Sequence, residues 1–174
     1  MNWKNCWHWN RIIPILFTLF GFWLASRLSL WNNNFSDLST TSYRVWYWLW
    51  GFGFCILYAY CLNRYQSKMD WGWRVLGTLG LLAYLISILL PYSPSALTTS
   101  SNLHVQLAIS GNVITIIVLL KTISFHFDPK WQRQKTALLL CLVALCLCLI
   151  MSFQRTNSFT QWLFTSALVW LFWK

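Results

Sequence analysis

The feature that most limits what this chain can become is a set of six apolar runs, at 12–30, 43–62, 72–90, 103–120, 136–153 and 158–173, each about as long as a membrane crossing. A helix rises 1.5 Å per residue, so roughly 20 apolar residues cover a hydrocarbon core of about 30 Å. Together the runs take up most of the 174 residues and leave nothing from which a soluble domain could be built. The expectation is therefore an all-α polytopic bundle of six transmembrane spans forming a single domain over 1–174.

The connectors are polar for different reasons. Residues 31–42 are rich in Asn, Ser and Thr, 63–71 carry Arg64, Lys68 and Asp70, and 91–102 are rich in Pro, Ser and Thr. Residues 121–135 are basic, and 154–157 make a short turn. The 13 Lys and Arg against 3 acidic residues would suggest nucleic acid in a soluble protein, but that reading needs cations gathered on a water-facing surface. Here they punctuate apolar runs, and no nucleic-acid partner is expected.

Their distribution sets an orientation instead. With a cytoplasmic N-terminus, ten basic residues fall inside (Lys4, Arg11, Arg64, Lys68, Arg74, Lys121, Lys130, Arg133, Lys135, Lys174) and three outside (Arg27, Arg44, Arg155). That is the positive-inside pattern, and an even number of spans returns the C-terminus to the cytoplasm. Trp3, Trp7, Trp9, Trp71, Trp73, Trp131 and Trp173 fall at the same interface, where a half-wet indole is favoured. The first run is longer than a signal-peptide core and Trp23-Leu24-Ala25-Ser26 lacks a small-x-small cleavage pattern, so it is read as a retained span in a cell-membrane protein.

Lipid tails are as apolar as leucine, so packing faces are sought among small and polar residues. Three stripes emerge: Gly77, Gly80, Tyr84 and Ser87; His104, Ala108, Gly111 and Thr115; and Ala137, Cys141, Ala144, Cys148 and Ser152. They are expected to line the interior. Asn112 lies at membrane depth, where an amide needs a partner or water. The second run is aromatic nearly all round, and Gly51 and Gly53 would open a groove on it for a flat apolar ligand or lipid tail, with ordinary ring packing as the alternative.

Familiar membrane chemistry finds no footing. There is no glutamate, none of the three Asp (Asp37, Asp70, Asp128) lies within a run, and none of the seven glycines begins a Gly-x-Ser. Aspartyl dyads, carboxylate proton relays, glutamate metalloprotease motifs and the usual intramembrane serine turn all lose their residues. His8 and His126 fall on one side and His104 on the other, and Cys146-Leu147-Cys148 lacks the usual two-residue gap, so no metal or other cofactor is expected. No cysteine falls in an outside loop, which argues against a disulfide framework.

What remains is a small set of candidate ligand residues. His104 lies near the outer end of the fourth run, at a level with Arg27, Arg44 and Arg155, and guanidinium matches phosphate geometry. Snorkelling arginines and a hydrogen-bonded, structural His104 are the alternative. Tyr84, Ser87, His104, Asn112 and Thr115 would line a polar cavity if the third to fifth spans held one. The stretch 90–111 has a proline at the end of the third span, a polar outside loop, then His104, Ala108 and Gly111. It resembles the DRAM/Frag-type group of six-helix membrane proteins, which implies a helical bundle of poorly defined activity and marks His104.

Three functions stay open. The first is a non-enzymatic membrane protein that binds lipid or a membrane protein partner. The second is a small substrate-binding subunit of a transporter, and the third an enzyme acting on a lipid headgroup through His104 and the arginines.

Overall fold

The fold was analysed in a computed structural model, which describes residues 6–30, 33–66, 69–93, 98–153 and 156–172, with backbone alone at 6–11, 66 and 172. The described residues are mostly helical and contain no strand. In chain order the α-helices are α1 (Cys6–Ala25), α2 (Arg44–Gln66), α3 (Trp71–Leu89), α4 (Thr99–His126), α5 (Pro129–Phe153) and α6 (Ser158–Phe172), with a 3-10 helix at Phe35–Thr40 between α1 and α2. Four of them, α2 to α5, are long and apolar enough to cross a membrane, and the apolar part of α1, Ile12–Ala25, is shorter.

Helix ends follow local chemistry. Thr98 caps α4 by accepting a hydrogen bond from the Ser101 N–H at 3.2 Å. Asn157 caps α6, its Oδ1 accepting from the Thr160 N–H at 2.8 Å and the Thr160 hydroxyl at 2.9 Å. Pro129 opens α5 in the first turn, where its missing N–H costs nothing, and Leu90 turns extended before Pro91 to end α3. The polar connectors are shorter than expected. α4 absorbs residues 99–102 and runs on to His126, and α5 starts at Pro129, so most of the basic stretch 121–135 is helical. A helix satisfies its own backbone at any depth, while Lys and Arg reach outward from its ends.

The chain divides into two compact units, Ser36–Leu140 and Met1–Phe35 with Cys141–Lys174. In the first, α2, α3 and α4 run antiparallel. Gly51 at the start of α2 meets Ile88 at the end of α3, Lys121 near the end of α4 meets Trp73 at the start of α3, and Tyr65 and His126 close the same end. The tightest seam joins α3 to α4. A Cβ placed on Gly111 would stand 3.4 Å from the Gly80 carbonyl oxygen and 3.4 Å from Tyr84 Cγ, and one on Gly80 would stand 2.8 Å from Ile114 Cγ2. The stripes expected on α3 and α4 are thus seams: Gly77, Gly80, Tyr84, Ser87, His104, Gly111 and Thr115 are all buried.

The aromatic ring of α2 is sorted by the same packing. Tyr47, Trp50, Phe54 and Tyr58 form its buried face, while Trp46 and Tyr60 are exposed. Phe54 and Tyr58 stack at 6.2 Å, and both meet Tyr84 edge-on at 5.3 and 6.3 Å. The groove expected at Gly51 is filled by Ile88.

In the second unit α1 packs on α6 through Thr18. Its carbonyl accepts from Trp162 Nε1 and its hydroxyl from Trp170 Nε1, each at 3.0 Å. The segment after α1 then wraps the start of α6: Ser158 N–H donates to the Asn33 carbonyl at 2.7 Å, and Phe35 N–H to Gln161 Oε1 at 2.7 Å.

One expected stripe is corrected. Ala137, Cys141, Ala144, Cys148 and Ser152 on α5 are all exposed, and Leu139 and Cys146 are the buried residues of that helix. Small residues permit close approach but do not supply a neighbour, and the leucine-rich faces of α5 are largely exposed as well.

Candidate functional site

His104 sits one and a half turns into α4 and is 4% exposed. Its Nδ1 lies 2.7 Å from the Ser87 carbonyl oxygen at the end of α3, and its Nε2 lies 2.8 Å from the Ser36 hydroxyl in the 3-10 helix. A carbonyl oxygen can only accept, so Nδ1 carries the proton and Nε2 accepts from Ser36. Tyr92 covers the ring at 5.1 Å, and the Tyr92 backbone meets the Ser39 hydroxyl through its N–H at 3.3 Å and its carbonyl at 3.4 Å. The Ser39, Thr98 and Ser101 hydroxyls and the Ser93 backbone complete a neutral network over this end of the bundle.

The order hydroxyl, imidazole, carbonyl is the one a general base would use to activate a serine. Ser36 is 7% exposed, however, and both imidazole nitrogens are already engaged. In this arrangement His104 joins the 3-10 helix, α3 and α4, and it presents no free nitrogen to a ligand. Nothing in the sequence marked Ser36, one of several hydroxyls in a loop of Asn, Ser and Thr.

Deeper along the same seam, Tyr84 donates to Asn112 Oδ1 at 2.5 Å, and Asn112 Nδ2 donates to the Ala108 carbonyl at 2.9 Å. The partner that an amide at membrane depth requires is therefore Tyr84. Thr115 is fully buried beside the Tyr58 and Tyr84 hydroxyls. Thr122 and Ser124 on the same helix bond back to the carbonyls of Val118 and Leu120. Of the five residues, Ser87 is joined to His104, and Tyr84 to Asn112 with Thr115 beside it. What they line is a closed seam, because Gly80 and Gly111 bring the backbones into contact.

The arginines are different. Arg27 lies just past the end of α1 and its guanidinium carbon stands 5.1 Å from the centre of the Trp23 ring system. Arg44 begins α2 and stands 4.3 Å over Trp48, one turn on. Both are exposed, and among the described residues the partner of each guanidinium is the indole it covers. A cation–π contact of this kind engages the guanidinium through the ring face and does not use its N–H donors. Arg27 and Arg44 belong to different units, and Arg155 lies outside the described residues.

Among the described residues no three His, Cys, Asp or Glu side chains are placed to share a metal. Cys55, Cys61 and Cys146 are buried free thiols, and Cys141 and Cys148 are exposed ones. No protein-family model, curated protein or solved structure matches the chain.

Proposed function

We propose that this chain is a six-span protein of the cell membrane, with both termini cytoplasmic, that binds anionic lipid headgroups through the arginines of its outer rim. The observation that carries this reading is Arg44 over Trp48, repeated by Arg27 over Trp23: exposed guanidinium groups that stand over indoles and, among the described residues, meet no carboxylate. Indole belongs at the headgroup level of a bilayer, and guanidinium binds phosphate through two parallel hydrogen bonds. Arg155 is a third member of the rim by its place in the sequence. Membership of the DRAM/Frag-type group is part of the same proposal and rests on the pattern over 90–111.

Six spans require α1 and α6 to cross as well. α1 has 20 residues, about 30 Å of helix, and α6 has 15, about 22 Å. With four crossings, the basic ends of α2 to α5 would still face the cytoplasm but both termini would lie outside. A reporter that is active only in the cytoplasm, fused after Lys174, separates the two: activity supports six spans and silence supports four.

The lipid reading is tested by native mass spectrometry of the full chain with phosphatidylglycerol and phosphatidylcholine. Arg44→Gln and Arg27→Gln are each expected to weaken phosphatidylglycerol binding about tenfold, the worth of one charge-assisted hydrogen-bond pair. Unchanged binding in the double variant would overturn it.

A further inference from the structure

Where α2 and α4 begin and α3 ends, one hydroxyl of the Ser36–Leu140 unit differs from its neighbours. Ser39 and Ser101 bond to backbone groups and, for Ser101, to the Thr98 hydroxyl. Ser36 instead stands against an imidazole, its Oγ 2.8 Å from His104 Nε2. The other ring nitrogen is pinned 2.7 Å from the Ser87 carbonyl oxygen, which can only accept and so fixes the tautomer that leaves Nε2 as the acceptor facing Ser36. A nucleophile, a base and a group that orients the base follow one another in that order, on the 3-10 helix, α4 and α3. A structural tie could use the hydroxyl and the ring in either sense. Taking a proton from Ser36 needs this one.

Two further groups belong to the arrangement. The Tyr47 hydroxyl, on the buried face of α2, lies beside Ser36 and supplies an O–H donor where charge would develop on an attacked carbonyl. Tyr92, half-buried, covers the imidazole at 5.1 Å, and its backbone is held by the Ser39 hydroxyl at 3.3 and 3.4 Å, longer than either bond of the relay. The cover is held more weakly than what it covers, so it can lift with the relay intact.

We propose that Ser36 is the nucleophile of an ester-cleaving site, with His104 as its base, the Ser87 carbonyl orienting the imidazole and Tyr47 donating to the oxyanion. As Ser36 Oγ bonds to the ester carbonyl carbon, its proton passes to Nε2. Collapse of the oxyanion breaks the bond to the alcohol, which leaves with the proton from Nε2. Water then attacks the acyl-serine by the same route, releasing the acid and restoring Ser36. The substrate class is a carboxylic ester, and at the ends of three helices long enough to cross a membrane the ester at hand is the acyl ester of a lipid. Neither Arg27 nor Arg44 takes part, so the proposal stands or falls apart from the rim arginines.

A fluorophosphonate probe tests it on the full chain in detergent, because attack by Oγ on phosphorus expels fluoride and leaves a stable adduct that peptide mass spectrometry locates. The adduct is expected on Ser36 of the native chain and not of the heat-unfolded chain, and Tyr92→Ala, which removes the cover, is expected to speed its formation severalfold. His104→Gln, checked for parental thermal unfolding, is expected to slow labelling about a hundredfold, the worth of a general base. Hydrolysis of p-nitrophenyl butyrate should be lost in Ser36→Ala and slowed about a hundredfold in Tyr47→Phe. Absence of the adduct from Ser36 in both the native chain and Tyr92→Ala overturns the proposal without relying on the fold of a core variant. Labelling at the parental rate in folded His104→Gln overturns it as well, by showing that Ser36 has no base.

Discussion

The seam between α3 and α4 and the body of α5 are built from the same kinds of residue and end in opposite situations. Both carry small side chains at helical spacing, and α5 has the highest mean hydropathy of the four long helices. Yet 33% of α3's most apolar window and 28% of α4's is buried, against 11% for α5. The difference lies in what accompanies the small residues. On α3 and α4 they are interleaved with Tyr84, His104 and Asn112, whose polar side chains find partners on the facing helix or the 3-10 segment. On α5 the stripe offers only Ala, Cys and Ser, whose demands are met locally or are weak. In hydrocarbon, a stripe becomes a seam when contact also satisfies something lipid cannot.

That comparison can be broken most sharply at its closest point. Gly111→Leu forces a side chain against the Gly80 carbonyl and Tyr84, and an expected loss of about 3 kcal/mol should appear in the unfolding midpoint of the purified protein. Retention of parental stability would show that the seam is loose. His104→Leu keeps the volume but leaves the Ser36 hydroxyl and Ser87 carbonyl without their partner, for an expected loss of about 2 kcal/mol. A neutral result would place the joining of these segments elsewhere.

Asn112→Leu removes the Tyr84 pair, and interhelical hydrogen bonds within membranes average about 0.6 kcal/mol, so a loss of about 1 kcal/mol is expected in the same assay. The smallest effect is expected on α5. Ala144→Leu enlarges an exposed position on α5 and should lie within about 0.5 kcal/mol of the parent. A larger loss at Ala144 would mean that α5 has a packed partner after all.

Much of this architecture was legible in the chain, and the illegible parts share a cause. The four long helices coincide with the second to fifth apolar runs because run length is a property of consecutive residues. The α3 and α4 stripes were readable because Gly, Tyr, Ser and His recur at helical spacing. Helix ends were less so: the basic stretch 121–135 looked like a connector and is mostly helix, since a charge at a helix end costs little once its side chain reaches the headgroups. Of the candidate ligand residues, spacing gathered Tyr84, Ser87, His104, Asn112 and Thr115 on one seam but could not say whether that seam was open. Two contacts at Gly80 and Gly111 close it.

The partners were beyond reach of any pattern. Ser36 lies 68 residues from His104 in sequence, and Gln161 lies 126 residues from Phe35. Both pairings depend on loops whose hydroxyls and amides are interchangeable on paper.

By itself the sequence determined the solvent of this protein, the length of its four long helices and the shortage of acidic groups, because these depend on composition and local order. Tertiary structure decided which small-residue stripe is a seam, that both nitrogens of His104 are held inside, and that Arg27 and Arg44 stand exposed over indoles. Those outcomes depend on which distant group arrives to satisfy a donor or acceptor, and hydrogen bonds are short-ranged and directional enough that only the assembled chain can settle them.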